Sequence, residues 1–341
     1  MAAGILNGLT TLVTGGSGFL GRAIVRMLLE RGAKVRVLCR KDYPDLIAAG
    51  CTIFKGEISD AELVKRAVAG CQAVFHTAAK AGVEEPGSEY ERINYQGTLN
   101  VIRACQEHKV SRLIHTSSPS VVFAHGDICG GDESLPYPDH HQAYYPQTKC
   151  MAEQAVLIAN SPQLATVALR PHLIWGPGDT NLGPRLVSKA MAGRLKFVGT
   201  GKNLVDTTYI DNAAEAHLLA AEKLQPGSAV AGQAYFITNG EPMPIADITN
   251  LIIGAAGVAP VTATISPKVA WLIGLVCEKA WKLFKIKGEP PITRWVAGEL
   301  STAHWFKIDA ARRDLGYEPR ISIAEGIARL RDYYQKNPPK A

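Results

Sequence analysis

The sequence predicts an α/β fold, a doubly wound parallel sheet with a smaller, mostly C-terminal lobe. Three observations predict it. Short apolar runs alternate with segments of helical period through the first half of the chain, the order that right-handed strand–helix–strand crossovers produce. A glycine-rich turn, Leu12-Val13-Thr14-Gly15-Gly16-Ser17-Gly18-Phe19-Leu20-Gly21, joins the first apolar run to a helical segment. The length of 341 residues, 47% hydrophobic and 20% charged, suffices for a large core and is unlike a disordered chain.

Strands are expected at Thr10–Val13, Lys34–Cys39, Thr52–Phe54, Ala73–His76 and Arg112–Thr116, with helical spacing at Arg22–Arg31, Ala61–Val68 and Thr98–Glu107 between them. A helix through Met151–Ala159 and a strand at Thr166–Leu169 continue the alternation until Trp175-Gly176-Pro177-Gly178-Asp179 breaks it. Residues 1–175 are therefore read as the sheet domain. Residues 176–341 are read as mostly a substrate lobe, some of whose strands return to the sheet. Its helices are expected near Pro184–Ala192 and Asn212–Glu222, with a strand near Ala234–Thr238.

Gly15, Gly18 and Gly21 stand at GxxGxxG spacing. The first permits the tight turn, the second lets a pyrophosphate approach the backbone, and the third lets the helix pack on the sheet. The helix start then offers N–H donors and a positive dipole end. A dinucleotide is the expected ligand, with Ser17, Phe19 and Leu20 in its cradle. Further contacts are expected where later strands end, at Glu57 and Ile58 beside the adenine and at the small residues Ala78 and Ala79. The second strand ends in Cys39-Arg40-Lys41, where a carboxylate would select NAD by binding the ribose hydroxyls. A guanidinium pairs instead with a 2′-phosphate. Arg40 therefore points to NADPH, with NADH second.

Composition narrows the remaining classes. Seven cysteines without a CxxC pair fit neither a disulfide framework nor a thiolate metal site, and no metal is expected. With no apolar leader segment visible, the expected compartment is the cytoplasm. The net charge of +6 arises wholly after residue 267, where 14 Lys/Arg face 8 Asp/Glu. Basic patches interleaved with aromatics are absent, which argues against a nucleic-acid partner. His76, at a strand end among apolar neighbours, reads as a packed, hydrogen-bonded side chain.

Chemistry is expected at Tyr145-Pro146-Gln147-Thr148-Lys149. Tyr145 alone among the 11 tyrosines has Lys at i+4, on one helical face. An ammonium near the phenol is expected to lower its pKa, making it an acid toward a carbonyl oxygen or a base toward an alcohol. A hydroxyl from His115-Thr116-Ser117-Ser118 could hold the reacting oxygen, and the residues alone leave Thr116, Ser117 and Ser118 open. No GxSxG elbow supports a hydrolase.

Val269, Leu272, Ile273, Val276, Ala280 and Leu283 recur at helical spacing in Pro267–Lys287, and Lys279, Lys282, Lys285 and Lys287 crowd its end. The run is far shorter than the roughly 20 residues that span a bilayer. Two readings stand: a core or lid helix, which is preferred, and an interfacial helix resting on lipid.

TGGSGFLG, the strand-end serine, YPQTK, Arg170-Pro171-His172 and Tyr209-Ile210-Asp211-Asn212-Ala213 together resemble the extended short-chain dehydrogenase/reductase superfamily, a Rossmann-type fold, over nearly the whole chain. The resemblance implies a catalytic triad of Ser118, Tyr145 and Lys149, with Lys149 bonding the nicotinamide ribose. It also implies Thr116, Pro171, Leu173 and Ile174 near the cofactor and Asn94 in support. Thr116–Val121, Arg170–Pro177, 201–206 and Tyr209–His217 resemble the 3β-hydroxysteroid dehydrogenase branch. Ala78-Ala79-Lys80-Ala81-Gly82, Ala168–Asp179, Asp206–Ala216 and Gly288–Arg294 resemble bacterial 2-alkyl-3-oxoalkanoate reductases of olefin biosynthesis. That implies reduction of a lipophilic β-keto acid with a pathway enzyme as a further contact; the superfamily resemblance implies a homodimer, and a peripheral membrane contact rests on the Pro267–Lys287 helix. A sterol dehydrogenase is the alternative; a sugar-nucleotide epimerase and an inactive cofactor-binding scaffold rank below it.

Overall fold

The computed structural model describes residues 5–82, 87–124, 126–286 and 288–339. Seven strands form one parallel sheet: β1 (Thr10–Thr14), β2 (Lys34–Cys39), β3 (Thr52–Lys55), β4 (Ala73–His76), β5 (Arg112–Thr116), β6 (Ala165–Pro171) and β7 (Gln233–Ile237). Their order is β7-β6-β5-β4-β1-β2-β3. The winding reverses at β1, which pairs with β2 on one side and β4 on the other. In sheets of this kind the ligand crevice lies at that reversal, outside the carboxyl ends of the strands. This is a Rossmann-type sheet, doubly wound as the alternation predicts.

Helices cover both faces. Helix α1 (Phe19–Glu30) buries Ile24, Val25 and Leu28 in one core. Helices α2 (Ala61–Val68) and α3 (Gly97–Glu107) bury Val64, Val68, Val101 and Ile102 in the core on the opposite face. Each Leu, Ile or Val so buried contributes about 1.5–3 kcal/mol. Helix α4 (Tyr144–Ile158) precedes β6, and α5 (Ile210–Lys223) packs on α1. Arg31 on α1 clamps the Glu215 carboxylate of α5 through two bonds of 2.8 and 2.9 Å.

The two halves of the chain interpenetrate. β7, from the second half, closes one edge of the large sheet beside β6. A smaller sheet pairs His304–Phe306 in parallel with Ile128–Gly131 from the first half and with Leu204–Val205. β6, with a strand on either side, is buried at 7 positions of 7.

Helix α6 (Pro267–Phe284) departs from one half of the preferred expectation, that of a core helix. Only Ala270 and Gly274 are buried along it, against α7 (Arg294–Ser301). A Cβ on Gly274 would meet the Thr293 carbonyl carbon at 2.6 Å, so the helices touch where α6 has no side chain. Its larger apolar residues face outward, and α6 is no core helix. Lys287 lies outside the described residues. Among these no helix is long and apolar enough to cross a membrane.

Candidate active site

The glycine turn sits at the carboxyl end of β1, where the sheet order reverses. Gly15 has φ +69°, and a Cβ there would stand 2.9 Å from the backbone N and Cα of Ala78. A side chain would thus push apart the β1 and β4 loops that frame the crevice. No side chain caps α1 at Gly18, so its first-turn N–H groups keep their capacity for an anion. Gly18 is exposed, and Ser17, Phe19 and Leu20 are half-buried around it. These features fit a dinucleotide pyrophosphate.

Around this turn the expected contacts separate. Arg40 is exposed at the end of β2 and forms no ion pair among the described residues. Glu57, after β3, is held by Arg92, which keeps its carboxyl below the usual range. Ile58 is buried, its side chain packed in the α2–α3 core against Gly97 of α3. Ala78 is half-buried and donates its N–H to Thr14 Oγ1 at 3.3 Å, while Ala79 is exposed.

His76 is a structural residue. Its ring nitrogens bond Thr14 Oγ1 at 2.7 Å and Thr98 Oγ1 at 2.9 Å. Burial, aided by the Lys149 charge, lowers its pKa to about 3, so it stays neutral. Among the described residues no cluster of His, Cys, Asp and Glu could hold a metal, and all seven cysteines are free.

Helix α4 presents Tyr145 and Lys149 one turn apart. Pro146 is tolerated because it lies in the first turn, where N–H groups have no partner within the helix. Lys149 donates to the Thr116 carbonyl at 2.5 Å, joining α4 to the end of β5. Burial lowers its pKa to about 8. Tyr145 departs from expectation. Burial pushes its phenol up, and the interaction that pulls it down comes from the Ser118 hydroxyl.

The structure separates the three candidate hydroxyls. Thr116 Oγ1 bonds His217 on α5 at 2.8 Å, away from Tyr145. Ser117 is buried, its hydroxyl without a partner among the described residues. Ser118 is half-buried, bonded to Ser120 Oγ at 2.9 Å, and it is the one facing Tyr145.

Several residues brace this arrangement. Asn94 is buried in a π-helical turn, Glu91–Gln96, that runs into α3. Its Oδ1 accepts the Lys80 N–H at 2.7 Å, and its Nδ2 donates to the Lys80 carbonyl and Thr148 Oγ1. Both ends of that amide are engaged within the protein, so Asn94 ties the β4 loop to α4. Sequence reasoning missed a buried ion pair under the site: Arg170 on β6 meets Glu153 on α4 at 2.6 Å, with exposures of 3% and 0%, and Tyr137 donates to the same carboxylate at 2.7 Å. Glu153 stands at i+4 from Lys149, the one signal that could have exposed it. Also missed was His172, whose Nδ1 lies 2.7 Å from Asp206 Oδ1. Pro171 is buried just before it. Leu173, at φ +41°, turns the chain outward, and Ile174 pairs beside Thr208.

The family model described as 3-beta hydroxysteroid dehydrogenase/isomerase matches residues 12–266, from the glycine turn to the start of α6. The chain belongs to this family. It is an NAD(P)-dependent oxidoreductase. It is 51% identical to a 2-alkyl-3-oxoalkanoate reductase of Stenotrophomonas maltophilia over 322 residues, covering 94% of this chain and 98% of the relative. It is 37% identical to a 3-beta-hydroxysteroid dehydrogenase of Mycolicibacterium neoaurum over 333 residues, 95% and 90% of the two chains. The solved UDP-glucose 4-epimerase of Thermus thermophilus in complex with NAD superposes with a TM-score of 0.72 at 22% identity, over 96% and 99% of the chains. That likeness concerns the fold.

Proposed function

We propose that the protein reduces a 2-alkyl-3-oxo acid bearing long alkyl chains to the 3-hydroxy acid, as a step toward olefins, drawing on NADPH. The observation that carries this reading is the 51% identity, over nearly the full length of both chains, to a 2-alkyl-3-oxoalkanoate reductase. Arg40 supports the cofactor preference, since an exposed guanidinium with no ion pair among the described residues can pair with a 2′-phosphate. The nicotinamide cofactor, when bound, supplies the hydride.

The protein's own residues supply the proton and hold the oxygen. Tyr145 is the acid: its raised pKa keeps the phenol protonated at neutral pH, as carbonyl reduction requires. Ser118 holds the substrate oxygen beside that phenol and stabilises its developing charge. Lys149, anchored on Thr116, orients α4 and offers its remaining N–H donors to the nicotinamide ribose. Pro171, Leu173 and Ile174, at and just beyond the end of β6 on the carboxyl edge of the sheet, would hold the nicotinamide of a bound cofactor. The seven free thiols suit a reducing compartment, and cytoplasm is the reading they support.

The test follows absorbance at 340 nm (the reduced-nicotinamide band, about this wavelength for either cofactor) with NADPH or NADH and either a 2-alkyl-3-oxo acid or a 3-oxosteroid. Turnover of the keto acid with NADPH is expected to dominate. Turnover of the steroid alone with NADH would replace both choices with a steroid dehydrogenase, the reading that the Mycolicibacterium neoaurum relative supports.

A further inference from the structure

We propose that α6 docks the protein on an anionic lipid surface. At about 100° per residue, Val269, Leu272, Ile273, Val276, Leu283 and Phe284 share one arc of the helix. All are exposed, from 41% at Ile273 to 75% at Leu283. This arc points away from the small-residue stripe, Ala270 and Gly274, by which α6 packs on α7. Lys268, Lys279 and Lys282 occupy the adjoining arc, and Lys285 caps the helix end. None of the four lysines forms an ion pair among the described residues.

The single acid on α6 leaves this cationic flank unopposed. Glu278 accepts from both the backbone N–H and the side chain of Arg294 at 2.7 Å, so its charge is neutralised on the protein side. Trp271 lies by the lysines with the Arg294 guanidinium 5.8 Å from its ring centroid, an aromatic suited to the headgroup layer. An apolar arc next to an unpaired cationic arc, on a helix unable to cross a membrane, complements acyl chains bordered by phosphates. A second copy of the chain would leave those lysines facing each other across a two-fold interface or stranded at its rim.

The chain beyond α6 reaches the loop after β4. Glu289, just beyond the helix, pairs with Arg185 and rests against Gly82, on the loop that continues from Ala78 and Ala79. Docking does not depend on the substrate reading, although a lipophilic substrate would profit from it.

The experiment is flotation of the full-length protein with extruded vesicles of phosphatidylcholine, with or without an equal part of phosphatidylglycerol. The protein is expected to float with the anionic vesicles, weakly with the neutral ones, and to be released by high salt. Lys268→Gln/Lys279→Gln/Lys282→Gln should lower the partition coefficient about a hundredfold, roughly fivefold per lysine. Leu272→Asn/Val276→Asn/Leu283→Asn should abolish flotation. Both variants should keep the wild-type thermal midpoint and NADPH binding, because every altered side chain is exposed. Failure of the wild type to float, or flotation indifferent to both variants, would overturn the proposal. So would a wild-type dimer that does not float and becomes monomeric in the asparagine variant, which would assign the face to a second copy.

Discussion

Lys149 Nζ donates a 2.5 Å hydrogen bond to the Thr116 carbonyl, so the helix that carries Tyr145 is pinned to the strand end that leads into Ser118. A buried ammonium is thereby spent partly on geometry. Among the described residues its acceptor is a neutral carbonyl, and burial outweighs the Glu153 charge in setting its pKa near 8.

This arrangement gives stability a pH dependence of known sign. The ordinary lysine value is 10.5 and the folded value about 8, so between those limits the unfolded chain holds a proton that the folded chain has released. Stability from this group should rise with pH across that window, and below it the buried charge costs about 3 kcal/mol. Lys149→Met should remove the rise and stabilise the protein near neutrality, while abolishing turnover. Urea unfolding at pH 6.5 and 9.5 measures both effects.

Tyr145→Phe should lower kcat by about 10²–10⁴, with NADPH affinity, read by fluorescence, close to wild type. Ser118→Ala should cost about 10²-fold in kcat. The reductive rate should stay level through neutrality, where Tyr145 remains protonated, and fall as Lys149 loses its proton near pH 8. A profile that falls near pH 6 would point to a different acid.

Arg40→Glu places a carboxylate where a 2′-phosphate is expected to lie. A charge-assisted bond of about 1.5–3 kcal/mol corresponds to a rise of roughly 10–150-fold in KM for NADPH, with NADH unaffected or improved. An equal effect on both cofactors would remove Arg40 from cofactor selection.

Glu153→Ala strands Arg170, which is 3% exposed. The loss of one partner from a buried pair costs about 3–5 kcal/mol, to be read as a lower urea midpoint. Arg170→Met/Glu153→Met should recover much of that loss, because an apolar pair leaves no uncompensated charge.

The legible parts of the protein were those written in local spacing. Strands β1, β2, β4 and β5 begin and end within a residue of their apolar runs, since a strand buried on both faces needs a continuous apolar stretch. Tyr145 and Lys149 were legible because one helical turn relates them. The burial of Ile58 was not legible, because it depends on Gly97, 39 positions away, and no local pattern carries that contact.

By itself the sequence determined the alternating fold, the glycine cradle and the Tyr–Lys pair, because each depends on backbone conformation or helical period over a few neighbours. Only the tertiary structure decided which hydroxyl meets Tyr145, what Lys149 touches and which face of α6 is bare. Those outcomes rest on distant partners: Thr116 is turned aside by His217, 101 positions on, and the Glu278 charge is taken up by Arg294, 16 positions on. Periodicity marks a helix face as apolar, but packing alone determines whether anything covers it.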